Sequence, residues 1–167
     1  MTIERAFIVA MQPRERLREV LCDRTCELAP HLEHIESAVP ILHRQEGGRI
    51  VSAQAWRARP NVSGVLRHHI DRGLLEWICR IERNADDFAS RWTIEPRALR
   101  DSPLCVGHLN LEPAAGGRGT RLTLELEIVA APPSAGWRTL SQAVLTTHFR
   151  KLIDAACRVA SPSSPDA

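Results

Sequence analysis

Apolar residues recur at two different spacings along this chain, and each change of spacing marks an element boundary. From Thr2 to Met11 strand formers dominate, with Ile3, Phe7 and Val9 on one parity and Ile8 on the other, which predicts a strand buried mainly on one side. Pro13 stands where a first-turn helix proline belongs, and Leu17, Val20 and Leu21 follow at helical spacing among charged neighbours. A second short helix is predicted from Cys26 to about Leu32, with Asp23 or Thr25 as its cap.

From Ile35 the period shortens to two. Ile35, Val39 and Ile41 share one parity up to His43, Gly47 and Gly48 supply a hairpin turn, and Arg49 to Arg59 returns as the next strand, closed by Pro60. Asn61 to Arg72 reads as a loop or short helix. Leu75, Trp77, Cys79 and Ile81 then alternate with charged residues, and Asn84 to Asp87 makes a polar turn. Trp92 and Ile94 mark the next strand and Leu104 to Leu111 another. Gly116, Gly117 and Gly119 form a turn before the clean alternation of Leu122, Leu124, Leu126 and Ile128, which makes seven predicted strands.

Pro132 and Pro133 end the sheet region, and Ser134 opens the longest helical pattern, which runs to about Ala160. At about 100° per residue, Trp137, Val144, Leu145, Phe149, Leu152, Ala155, Ala156 and Val159 fall in one arc. Thr139, Ala143, Thr146, Arg150, Asp154 and Cys157 fall opposite. The Ser/Pro-rich stretch 161–167 reads as a disordered tail, leaving 1–160 as one domain.

Length agrees with that division: 167 residues are one domain's worth of chain, and 44% hydrophobic composition suffices for a single core. Charge narrows the partners. Basic residues number 22 against 20 acidic, Lys151 is the only lysine, and the arginines are interleaved with Glu and Asp. A nucleic-acid binder concentrates positive charge on one face to neutralise phosphates, so no nucleic-acid partner is expected. The N-terminus has no signal-peptide pattern, and no apolar run approaches the roughly 18 residues of a membrane span. Together with five cysteines in no framework spacing, this predicts a protein of a reducing, cytoplasmic compartment.

The order of strand, two short helices, six antiparallel strands and a long C-terminal helix resembles the START-like, or helix-grip, superfamily over about residues 2 to 160. That superfamily includes plant pathogenesis-related allergens, lipid-transfer START domains and bacterial polyketide cyclase/dehydrase-like proteins. Gly107-His108-Leu109-Asn110-Leu111-Glu112-Pro113, then Gly119-Thr120-Arg121-Leu122, and the stretch Pro60 to Leu66 leading into Trp77 are similar to an uncharacterised bacterial branch of it. The resemblance implies an α+β fold: a curved seven-stranded antiparallel sheet wrapped around the long C-terminal helix, with a cavity between them. It also implies a small, largely apolar ligand such as a lipid, polyketide or aromatic metabolite, held by a monomer or homodimer. The chain departs from many family members in having no Tyr among its aromatic residues, which are four Trp and three Phe.

On the helical wheel His148 lies about 20° and Ser141 about 40° from Trp137, inside the apolar arc, so both point toward the sheet. An imidazole there is either a core histidine bonded to the strands or a group that bonds a ligand oxygen and relays a proton, its near-neutral pKa suiting it as a catalytic acid or base. Trp77, Trp92 and Trp137 share the inward parity of their elements and wall either a core or a cavity. Trp56 is ambiguous, because Val51, Ala53 and Ala55 suggest the opposite parity. If that opposite face is inward, Arg57 and Arg59 reach the cavity and can fork onto a ligand oxygen. The expected ligand-binding set is therefore Trp77, Trp92, Trp137, Ser141, Val144, His148, Arg57 and Arg59. Cys22, Cys26, His31 and His34 lack the long spacer of a zinc finger, so no metal is expected. His68 and His69 read as loop residues, and His108 and Asn110 as solvent-facing. No phosphate loop, nucleophile elbow or dinucleotide fingerprint is present, and no cofactor is expected. Three functions remain: a ligand-binding module; a cyclase, aromatase or dehydratase in which His148 moves protons; and an interaction protein that contacts a partner through Asn61 to Arg72.

Overall fold

The structure, a computed structural model, describes residues 3–59, 73, 75–99, 104–129 and 135–161, with the side chains of 3, 4 and 135–142 outside the description. Strand β1 (Ile3–Ala10) leads into a short helix α1 (Arg14–Arg18), a π-helical turn (Glu19–Asp23) and a 3₁₀ segment (Thr25–His31). Six strands follow: β2 (Ile35–Glu46), β3 (Arg49–Ala58), β4 (Glu76–Asn84), β5 (Ala89–Pro96), β6 (Cys105–Ala114) and β7 (Gly119–Ile128). Helix α2 (Ala135–Ala160) ends the order. All seven strands form one curved antiparallel sheet in the order β1-β7-β6-β5-β4-β3-β2, so the meander begins at one edge and β1 closes the other. This is the helix-grip architecture expected from the sequence.

The concave face is set by β7, whose Leu122, Leu124 and Leu126 are all buried. They pair with Ile8, Ala6 and Glu4 of β1, which fixes the inward parity of that strand. The expectation for β1 is therefore corrected: Phe7 and Val9 point outward and are 64% and 65% exposed, while the smaller Ala10 is buried. A larger side chain is not needed inside because the adjacent leucines already cover that edge. In β2 the shared parity of Ile35, Val39 and Ile41 is broken by two register shifts, one between Ile35 and Ser37 and one between Pro40 and Leu42. The first bulge turns the following residues over, so Ile35 is buried whereas Val39 faces outward, and Ile41, the unpaired residue of the second bulge, is exposed too.

The β2–β3 hairpin closes Glu46 on Arg49 through Gly47 and Gly48, both with positive φ (54° and 82°), as a tight twisted hairpin requires. Into the concave face pack Leu145, Phe149, Leu152, Ile153, Ala155, Ala156 and Ala160 of α2. Leu17, Val20, Leu21 and Leu28 of the short helical segments close the same core. Ser161, first residue of the expected tail, is fastened to the domain: it donates to Cys157 O and accepts from Gln12 Nε2, each at 2.9 Å. Residues 162–167 and the stretch 61–72 expected as a loop or short helix, with His68 and His69, lie outside the described residues.

Candidate functional site

Strands β3 and β4 set Trp56 directly opposite Trp77. Their rings stack 6.3 Å apart and within 8° of parallel. Parity explains the placement of Trp56: Ile50, Ser52 and Gln54 are the buried residues at its spacing, so the even positions of β3 face inward. His148 descends from α2 onto this pair with its ring nearly perpendicular to both indoles, at 5.9 Å from Trp56 and 5.4 Å from Trp77. Phe149 stands edge-on beside it at 5.7 Å. From the turn before β2, His34 Nε2 meets His148 Nδ1 at 2.9 Å.

Several polar atoms around this contact are buried without a partner: Trp56 Nε1, Trp77 Nε1, His34 Nδ1 and, further along β3, Gln54 Oε1. Such orphans are uncommon because each costs about 1–3 kcal/mol when left unsatisfied. Burial pushes the pKa of His148 down to about 3, with a smaller contribution from His34. His34 is lowered as well, chiefly by burial and then by the Lys151 ammonium, against Glu33. Both imidazoles are therefore neutral near pH 7, and each carries one N–H. Across the 2.9 Å contact one ring donates and the other accepts, so the tautomer of either ring dictates that of the other.

The expected site residues separate into groups. Trp77 and His148 come together as predicted from parity. Trp92 is deeper in the core, edge-on to Phe149 at 5.7 Å, and its Nε1 already donates to Ser90 Oγ at 2.9 Å. The side chains of Trp137 and Ser141 lie outside the described residues. Three expectations are corrected. Arg57 is on the outer face, half-exposed and paired with Glu76 at 3.2 Å, because the inward parity of β3 is the even one. Arg59 does not enter the interior either: its Nε donates to Ile35 O and its backbone N–H to His34 O, each at 2.9 Å, fastening the segment that carries His34. Val144 is 58% exposed, since the buried stripe of α2 is centred between Leu145 and Phe149 and leaves Val144 just outside it.

Sequence reasoning missed His34 as a partner of His148. The two are 114 positions apart and no periodicity links them. Trp56 was recoverable, since Ile50 shares its parity. Among the described residues no group of three or more His, Cys, Asp or Glu could hold a metal ion, and no helix is long and apolar enough to cross a membrane. Among the same residues, two grooves open on the outer face of the sheet. One, about 750 Å³, runs past Phe7, Arg91, His108, Asn110 and Arg121. The other, about 610 Å³, is floored by Val39, Ala55 and Ile78 and bordered by Trp56 and Trp77.

No protein-family model matches the chain, and no curated protein matches it in sequence. Solved structures do match over nearly its whole length. The Zhui aromatase/cyclase from Streptomyces sp. R1128 superposes with a TM-score of 0.66 at 14% identity, covering 95% of this chain and 93% of its own. TTHA0849 from Thermus thermophilus gives 0.65 at 21% identity over 95% and 97% of the two chains. Ara h 8.0201 gives 0.63 at 13% identity, again over 95% and 97%. The fold defined here is thus the helix-grip one. At these identities the likeness to aromatase/cyclases and to Ara h 8.0201 is one of fold.

Proposed function

We propose that the protein binds a small, largely apolar or aromatic ligand between the concave sheet and helix α2, against Trp56, Trp77 and His148. The observation that carries this reading is the set of unpartnered polar atoms on Trp56, Trp77 and His34 within an aromatic-walled interior. A core built only for stability pairs such groups or replaces them with apolar ones, whereas a ligand site keeps a few of them free to orient its guest. The neighbours of this fold support the reading at the level of fold, three of them being described as aromatase/cyclases, two of these di-domain.

The second reading is an aromatase/cyclase-type enzyme with His148 as general acid or base. The His34 contact favours it, since an oriented imidazole is what proton transfer needs. The depressed pKa of His148 weighs the other way, because an imidazole at about 3 is a poor base before a ligand arrives. Binding is therefore the function we conclude. Native mass spectrometry of the purified protein should reveal a co-purified small molecule, and His148→Gln should lower its occupancy about tenfold while the thermal midpoint changes little. A large stability loss with unchanged occupancy would instead make His148 a purely structural residue.

A further inference from the structure

Indole nitrogens are donors only, so the two free N–H groups of Trp56 and Trp77 specify the polarity of what they can hold. A hydroxyl hydrogen or an ammonium presents the wrong partner to them, whereas an oxygen lone pair presents the right one. The charge of that oxygen follows from its surroundings. Arg57 is engaged by Glu76 on the outer face, and Arg59 is held by Ile35 O. The two cationic groups that the sequence offered for a carboxylate are thus turned away, the Lys151 ammonium that acts on His34 is exposed to solvent, and a buried anion without a counter-charge is costly. The ring that presses perpendicular to both indoles, His148, is held at Nδ1 by His34, itself anchored through Arg59.

We propose that the indole N–H groups of Trp56 and Trp77, beside a His148 whose tautomer is tied to that of His34, form a donor subsite for a neutral carbonyl oxygen on a flat aromatic ligand. This rests on the ligand-binding reading above and specifies its guest. His34 is a positioning residue: it acts on the ligand through the tautomer of His148.

Four naphthalene probes separate the possibilities by calorimetry: naphthalene, 1-acetonaphthone, 1-naphthoate and 1-naphthylmethylammonium. Acetonaphthone should bind roughly three- to thirtyfold more tightly than naphthalene, the range for one or two net hydrogen bonds to a neutral acceptor. Naphthoate should not exceed the ketone, and the ammonium should bind most weakly. Trp56→Phe and Trp77→Phe should each draw the ketone-to-naphthalene ratio toward one. Should either variant fail to fold, the wild-type indole N–H resonances serve instead, moving downfield with acetonaphthone and not with naphthalene. Nitrogen-15 shifts of His148 should report a single tautomer in the wild type and an average of two in His34→Phe. Equal affinity for naphthalene and the ketone, as fixed internal water on the indoles would produce, overturns the subsite; so does tighter binding of naphthoate or the ammonium, or an unchanged His148 tautomer. Absence of binding by all four probes to folded protein overturns the ligand-binding reading itself.

Discussion

Single residues carry the clearest energetic signatures. His148 has its pKa lowered from 6.5 to about 3 by burial, so between those values the unfolded chain takes up a proton that the folded chain refuses. Stability is therefore fully present above about pH 6.5 and is lost as pH falls, by about 1.4 kcal/mol per pH unit for this group. The lowered pKa of His34 acts in the same direction. Urea unfolding at pH 6.5, 6 and 5, above the usual carboxylate range, should show this slope, and His148→Phe should flatten most of it. An unchanged slope in that variant would place the effect elsewhere. Ala115 offers a second test. It is the one non-glycine among the described residues with positive φ, at 50°, in the turn before β7. A Cβ in that conformation costs about 1 kcal/mol, so Ala115→Gly should raise stability by roughly 0.5–1 kcal/mol in the same assay.

At the scale of elements, the sequence was legible where a strand is long, central and regular. The alternation of Leu122, Leu124 and Leu126 named the inward face of β7 outright, and the Gly47-Gly48 turn located its hairpin. Edge strands misled. In β1 the larger apolar residues face outward, because pairing with β7 fixes parity more strongly than side-chain size does. In β2 the bulges at Glu36 and Ile41 reset a parity that sequence spacing alone treats as continuous. At Arg57 and Arg59 three small residues and a single Trp pointed opposite ways, so sequence spacing left the inward face of β3 open. His34 was illegible for a different reason: its role depends on a contact with another element, and no local pattern encodes that. The β1–β7 seam also supplies a test, since a Cβ on Gly119 would lie 2.7 Å from Ala10 O. Backbone cannot yield there without moving the seam, so Gly119→Ala should cost about 1–3 kcal/mol, read as a lower urea midpoint.

For the molecule as a whole, both the sheet and the site are finished late in the sequence. β1 waits for β7 to pair with it, more than a hundred residues downstream, and the concave face stays open until α2 lies across it. Such distant pairings make for slow folding, because the chain closes large loops before any contact rewards them. The His34–His148 contact belongs to a late step: a ribosome must have made and released the chain past residue 148 before the two imidazoles can meet. Trp56 and Trp77 come earlier and can stack in the nascent hairpin. Cells making this protein thus hold, for a time, a chain with its aromatic wall built and its imidazole lid missing. A guest that requires both will discriminate against that intermediate and stabilise only the completed form, by mass action on the last docking event.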